Sequence, residues 1–405
     1  VSVLSRILAG AGREGRSGLE NPTSAFLDAI GGAPTYSGKS VTVESSLQLV
    51  PVFAAVSRIA GSIGSLPLVV YRRLEQGRER ATNHRTWRLL HDQPNSNMAA
   101  DEVWELVATH LLLWGNAYLA KLRDGNGNVS ELIPLRPNRV EPIADGGVRY
   151  FILDGKKEER HTDADVLHIR GLGTDGLVGL SPITQARQML GSGMALEEFT
   201  SRFWANSANP GGVLKHPRNL SKEAQERLKA SWRRQTGGVA NAGEIAILEE
   251  DMSWEQVGMP ARDAQFIETA QFSLSQIEML FGLPPGTLGG TTGDSMTYSN
   301  TESKGIDFVR WTLRRWLVRI EGALLRDVSL FVQGDRFYPE FLVEGLLRAD
   351  TKTRYEAYKT ALNGERWLSV NEVRERENLN PIQQEPDAAP DEQGEGTSDG
   401  NGNGD

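Results

Sequence analysis

Residues 166–182 read VLHIRGLGTDGLVGLSP. The apolar run Val166-Leu167-His168-Ile169 leads into Gly171, Gly173 and Gly176 at the spacing G-x-G-x-x-G, and Ser181-Pro182 then offers a helix start. Two folds compete for such a string. In a dinucleotide-binding unit the helix opens at the glycines, its first N–H groups face the pyrophosphate, and an acidic residue about twenty positions on holds the ribose. Here the helix signal comes five residues after Gly176, and the acidic pair at the right distance, Glu197-Glu198, falls in mid-helix. The segments before it are short strands separated by Asp124-Gly125-Asn126-Gly127-Asn128, Asp145-Gly146-Gly147 and Asp154-Gly155, which are hairpin signals. The string therefore reads as a joint between an antiparallel strand and a helix, and the fold class as α+β.

Periodicity fills in the rest. Leu49, Val52, Val56, Ile59 and Ile63 lie on one helical face, stopped by Gly64-Ser65 and Pro67, with a strand at Leu68–Tyr71. A second helix carries Trp104, Val107, Leu111 and Trp114 and ends at Gly115. Ser181 is an N-cap and Pro182 a first helical residue, followed by the stripe Ala186, Met189, Gly193, Leu196, Phe199 and Phe203. Gly191 and Gly193 each cost that helix about 1 kcal/mol relative to Ala, which implies close approach to another backbone. A small module from Pro210 to Gly258 has a helix around Glu223–Arg234 and strands at 244–248 and 254–257. A further helix bears Phe266, Ala270, Leu274, Ile277 and Phe281 and closes at Gly282 and Pro284-Pro285. The Gly/Thr/Ser loop GGTTGDSMTYSN, 289–300, precedes the longest helix, Asn300 to Asp327. On that helix Ile306, Val309, Leu313, Trp316, Ile320 and Ala323 share one side, and Arg310, Arg314, Arg315 and Arg319 another, with Glu302, Asp307, Glu321 and Asp327 interspersed.

Composition narrows the chemistry. The 405 residues include no cysteine, which excludes disulfides, thiolate metal sites and cysteine nucleophiles. No run of eighteen apolar residues occurs, and the first ten residues are too interrupted for a secretory signal, so a soluble intracellular protein is expected. A net charge of −9 has the wrong sign for tight phosphate gripping. His161 and His168 flank Asp163 and Asp165, but His168 inside an apolar strand reads as a satisfied core histidine rather than a metal ligand. No H-E-x-x-H, G-x-S-x-G or G-x-x-x-x-G-K-[ST] string occurs. The reading has no catalytic, cofactor or metal residue and no enzyme; a nucleotide-binding enzyme using Gly171–Gly176 and a monomeric structural adaptor are the rivals.

Seven strings stand in order: LPLVVYRR, WGNAYLAKLRDGNGNVSELIPLRPNRV, VLHIRGLGTDGLVGLSPI, DAQFIETAQFSLSQIEMLFGLPP, YSNTESKGIDFVRWTLRRWLVRIE, LLRADTKTRYEAY and NGERWLSVNEVRERENLNP. Together, over residues 40–382, the chain resembles the portal proteins, or head-tail connectors, of long-tailed double-stranded DNA bacteriophages. Two departures occur: Gln383-Gln384-Glu385-Pro386 follows Leu379-Asn380-Pro381 where the family carries Gly-Gly-Asp, and Phe203–Ala208 is looser than the family form. The resemblance implies a ring of about twelve subunits at one capsid vertex of the virion, assembled in the host cytoplasm. Its implied partners are double-stranded DNA in transit, the terminase large subunit, a head-tail adaptor protein and the major capsid protein, with no membrane.

The resemblance also implies a division of the chain. A flexible arm, 1–39, precedes a wing, 40–180. A stem helix, 181–208, a clip, 209–258, and a second stem helix, 259–284, follow. Next come a tunnel loop, 285–299, a spine helix, 300–328, and a wing return, 329–362. A crown, 363–382, and a disordered acidic tail, 383–405, complete it. DNA would meet Gly289, Gly290, Thr291, Thr292, Gly293, Asp294, Ser295, Met296, Thr297 and Tyr298 of the loop, backed by Asn300, Arg310, Arg314 and Trp316 of the spine. Ser181, Pro182, Asp263, Gln265 and Phe266 would form the stem, and Lys222, Glu226, Trp232 and Arg233 would dock partners at the clip. Twelve copies of a −9 chain carry on the order of a hundred negative charges, which favours a channel that lets DNA slide.

Overall fold

A computed structural model of the chain describes residues 33–144, 148–154, 157–205, 212–216, 221–236, 252–256, 273–289, 304–343, 351–363, 367–377 and 382. The described chain divides into two compact units, Val1–Leu347 and Arg348–Asp405.

In the first unit, strands β1 (Ala33–Pro34) and β2 (Ser40–Val41) and a short helix α1 (Val43–Ser46) lead into α2 (Val50–Gly64). Strands β3 (Leu68–Arg73) and β4 (Arg78–Arg80) follow, then a π-helical turn at Arg88–Asp92 and helix α3 (Ala100–Trp114). Six strands come next: β5 (Asn116–Arg123), β6 (Val129–Leu135), β7 (Val140–Ala144), β8 (Val148–Asp154), β9 (Lys157–Thr162) and β10 (Val166–Arg170). They form two antiparallel sheets, β10-β5-β6 and β7-β8-β9. The expected hairpins are present, and β10 returns to pair with β5, His168 opposite Tyr118, rather than with its neighbour in sequence. No described strand pair is parallel, so the class is α+β.

The core is built where α2 and α3 pack together. The predicted stripe Val52, Val56, Ile59 and Ile63 is buried against Val103, Val107 and Leu111, each such side chain contributing about 1.5–3 kcal/mol on burial. Trp104, fully buried, donates its indole N–H to the Leu90 carbonyl at 2.9 Å, so its polar group is satisfied inside the core. Strand β13 (Phe337–Phe341) comes from far along the chain to pair with β3, completing the sheet β13-β3-β4.

The region after Ser181 departs from expectation. Instead of one helix there are two, α4 (Pro182–Gln185) and α5 (Arg187–Ala205), because the chain breaks at Ala186 with φ −93° and ψ 8°. Ile183, Ala186, Met189, Leu190 and Met194 reach the core; farther along the predicted stripe, Phe199 is 54% exposed. Gly191 does lie in close contact, but against the side chain of Thr35 rather than a backbone, and Gly193 has only the Leu49 side chain near it.

The middle module contains helix α6 (Lys222–Thr236) and a two-stranded ribbon of β11 (Gly212–Lys215) and β12 (Ser253–Gln256). The strand expected at 244–248 lies outside the described residues, and β11 was not among the expected strands. Helix α7 covers 273–281 and α8 covers 304–326, with a π-helical segment at Phe308–Leu313 before Arg314–Arg326. In the second unit, helices α9 (Thr351–Leu362) and α10 (Val370–Arg376) bury Ala361 and Leu368. The unit boundary at 347 thus falls inside the segment expected to return to the wing, 329–362.

Candidate functional site

The glycine string is a joint made of main chain. Gly115 ends α3 in the left-handed region, φ +72°, and its carbonyl accepts the Gly171 N–H at 2.7 Å. A β-carbon on Gly115 would come within 3.0 Å of the Leu180 carbonyl, and one on Gly171 or Gly179 within 3.0 Å of the Gly115 carbonyl. The end of α3, the end of β10 and the start of α4 therefore touch backbone to backbone. Asn116 ties them: its Nδ2 donates to the carbonyls of Gly179 (2.7 Å) and Trp114 (3.1 Å), and its Oδ1 accepts from Gly179 N (2.8 Å). With that oxygen an acceptor, His168 Nε2 at 2.9 Å must be the donor, which fixes the neutral tautomer and leaves Nδ1 without a partner. Burial, with Arg170 and Arg326 adding to it, holds His168 down at about 3.

Nothing in this joint is arranged for a phosphate. The N–H groups of Leu177 and Val178 go to Asp175 Oδ1, that of Leu180 goes to the Leu172 carbonyl, and Arg170 donates to the Gly176 carbonyl. An anion would find a carboxylate in the loop and the N–H groups of Gly171, Leu177, Val178, Gly179 and Leu180 already committed. Nor do His161, Asp163, Asp165 and His168 gather: Asp165 accepts the N–H and hydroxyl of Thr162, which holds its carboxyl below the usual range. Among the described residues no group of three or more His, Cys, Asp or Glu could hold a metal.

What the joint does hold is α8. Arg319 reaches from that helix to the carbonyls of Gly171 (2.7 Å) and Arg170 (3.3 Å). Arg315 donates to Phe281 O at 2.6 Å and Thr312 to Gly282 O, so two residues of α8 satisfy the carbonyls that α7 leaves open at its end. Burial lowers the Arg315 pKa, and Arg319 adds to that effect. Near the far end Glu321 accepts the Phe341 N–H at 2.8 Å, and burial raises its pKa. Just beyond α8, Asp327 meets Lys121 of β5 at 2.6 Å, the two side chains 7% and 1% exposed. Lys121 also donates to Asp163 O at 2.7 Å, while Asp327 accepts the Ser329 N–H at 2.9 Å and its hydroxyl at 2.5 Å. The helix is thus pinned in its middle and at its C-terminal end.

The segment leading into the Gly/Thr/Ser loop is pinned too. Glu278 of α7, buried, accepts the N–H of Leu288 at 2.8 Å and of Gly286 at 3.0 Å. Arg58 of α2 donates to Thr287 O at 3.4 Å. Sequence reading missed Glu278, Arg58 and Asn116 as organising residues, since nothing local marks a carboxylate or an amide that will be buried by distant segments.

The expected site residues divide accordingly. Of the loop residues expected to meet DNA only Gly289, exposed with φ +95°, is described; Gly290, Thr291, Thr292, Gly293, Asp294, Ser295, Met296, Thr297, Tyr298 and Asn300 lie outside the described residues, as do Asp263, Gln265 and Phe266. Arg310 and Arg314 are exposed and Trp316 is buried. Arg315 and Arg319 are spent on carbonyls, so the arginine stripe is half structural. Ile306, placed by periodicity on the buried side, is 46% exposed; the π-helical segment rotates the face, and the buried set becomes Thr312, Leu313, Trp316, Leu317, Ile320, Ala323 and Leu324. Ser181 caps α4 through the Thr184 N–H and donates to the Leu113 carbonyl at 2.7 Å, a joint role, with Pro182 beside it as the first helical residue. Lys222 and Glu226 are exposed on α6, Trp232 is half-buried, and the Arg233 side chain lies outside the described residues. Seven of the 53 acidic residues lie in 385–405, leaving 46 acidic against 44 basic residues, so the body of the chain is nearly neutral and the excess charge sits in the tail.

Known proteins resemble the chain along most of its length. The sequence model of the phage portal protein family matches residues 51–378. A probable portal protein of Streptomyces phage phiC31 is 33% identical over 369 residues, 87% of this chain and 79% of that one. The portal protein of Enterobacteria phage HK97 is 27% identical, covering 85% and 81%. Among solved structures, a chain in the neck of a native gene transfer agent particle with C12 symmetry superposes with TM-score 0.60 at 26% identity, covering 94% of this chain and 100% of that one. An HK97-family phage portal protein from Corynebacterium diphtheriae, at 16% identity, shares the fold with TM-score 0.58 over 77% of this chain and 99% of that one.

Proposed function

Because the chain belongs to the phage portal protein family, we propose that it works as a rigid frame presenting the 285–299 loop to moving DNA. As a portal protein it forms, in a ring within the virion, the DNA channel at a capsid vertex. The observation that carries the finer reading is the anchoring around the loop: Glu278 and Arg58 hold its first residues, Gly286 to Leu288, and α8, pinned by Arg315, Arg319 and the Lys121–Asp327 pair, follows it. A short polar segment between two anchored helices can follow a duplex by small shifts while its supports stay still. Near-neutrality of the body favours sliding by weak contact, without the ring-wide repulsion that the whole-chain charge suggests.

In this reading the ring has about twelve subunits and assembles in the host cytoplasm against the major capsid protein. The 209–258 module, through Lys222, Glu226, Trp232 and Arg233, docks the terminase large subunit during packaging and the head-tail adaptor afterwards. The family is structural and the protein performs no catalysis of its own. Deleting Gly290–Asp294 tests the loop: rings of normal appearance by negative-stain imaging with impaired packaging of DNA are expected. Unimpaired packaging by such rings would reduce the loop to a tether.

A further inference from the structure

The outer face of the β13-β3-β4 sheet carries a charge pattern that the channel reading does not use. Register places Tyr71 opposite Tyr338 on one side and Arg80 on the other, and Arg73 opposite Arg78. The Arg73 N–H bonds to the Arg336 carbonyl at 2.7 Å, so Arg336 extends the same row. Leu68, Val70 and Phe341 point to the core from the opposite face, so Tyr71, Arg73, Arg78, Arg80, Tyr338 and Arg336 face outward together. The acids nearby are few. Glu340 shares the face and pairs with Arg78, Glu79 is on the other face with Arg72, Glu75 is in the hairpin turn, and Asp335 precedes Arg336 outside the strand.

The arginines are held in place from below. Tyr71 and Tyr338 stack with ring centroids 5.9 Å apart; the Arg78 guanidinium lies 4.2 Å over Tyr71 and that of Arg73 4.8 Å over Tyr338. Among the described residues, the exposed side chains of Arg80 and Arg336 make no ion pair and no hydrogen bond.

We propose that this face binds the phosphate backbone of duplex DNA, independent of sequence and separate from passage through the channel. Four arginines and no lysine offer planar forks suited to phosphate oxygens. Arg78 and Arg80, two residues apart on a strand, stand about 6.7 Å apart, a spacing that follows a charged polymer rather than a single ion. A protein partner would need an apolar centre to exclude water, and here the rings of Tyr71 and Tyr338 lie under guanidinium groups.

The test is anisotropy of a fluorescein-labelled 30-base-pair duplex titrated with the full chain across a range of NaCl concentrations. Arg80→Gln with Arg336→Gln is expected to lower the affinity at least tenfold at 50 mM salt. It is also expected to flatten the log K against log [salt] line by about 1.8, two phosphate contacts at about 0.9 each. Arg88→Gln with Arg139→Gln, the same charge removed from exposed positions elsewhere, is expected to stay within about twofold of wild type. Both variants should match the wild type in melting temperature and in ring formation. Equal losses in the two variants, an unchanged slope in the first, or no wild-type binding at 50 mM salt would overturn the proposal. So would displacement of the duplex by polyglutamate at equal charge concentration, which would assign the face to an acidic protein.

Discussion

At the scale of single residues, the positions that matter most are those where no side chain fits or where a polar group is buried. Gly179→Ala puts a β-carbon against the Gly115 carbonyl, a backbone atom that cannot swing aside, so a loss of about 3 kcal/mol or more is expected, read as a fall in melting temperature or in soluble yield. His168 and His110 are both buried and neutral, their pKa values held by burial at about 3 and about 4 against an ordinary 6.5. The unfolded chain therefore takes up these protons first. Stability from the two groups is complete above about pH 6.5 and is lost as the pH falls toward 4 and then 3. Between pH 6.5 and 5 each contributes a loss of about 2 kcal/mol. In His168→Gln the drop in urea midpoint over that interval should be smaller than in wild type, and an unchanged drop would show that His168 titrates normally.

Among the elements, α8 shows how far sequence could lead. Its existence and its apolar side from Leu313 to Ala323 follow from spacing alone, because a helix that packs by one face must repeat at three and four. The rotation at Phe308–Leu313 does not follow, since a π-helical segment leaves no residue signature, and it moved Ile306 to the exposed side. Likewise Ser181-Pro182 correctly marks a helix start, but the break at Ala186 did not follow from it. The hairpins were legible from their Asp-Gly and Asn-Gly turns; the return of β10 to β5 and of β13 to β3 was not, because pairing between distant segments is set by the core they enclose. The anchors escaped for the same reason: Glu278, Asn116 and Lys121 look like surface residues until distant backbone closes over them. The Lys121–Asp327 pair gives an elemental prediction. Lys121→Met leaves Asp327 buried without its cation and should cost about 3–5 kcal/mol, while adding Asp327→Asn should recover part of that. A double-mutant cycle by urea denaturation measures the coupling, and a value near zero would mean that α8 is held without the pair.

At the scale of the whole molecule, charge is the quantity that sequence totals misplace. A chain of net −9 looks repellent to DNA, yet seven of those charges are in 385–405. Removing 385–405 should therefore strengthen duplex binding at 50 mM NaCl, with the difference vanishing by 500 mM, where the Debye length is about 4 Å. Equal binding by both chains at low salt would show that the tail stands clear of the path of DNA. The main-chain joint at Gly115, Gly171 and Gly179 has a consequence of another kind. A single nucleotide change can turn a glycine codon into one for alanine, serine, aspartate or valine, and each of these supplies the atom for which there is no room. Drift at any one of the three codons is therefore closed to a lineage unless the facing strand of peptide moves in the same step. Aligned relatives should keep all three glycines even where the surrounding sequence has diverged beyond recognition.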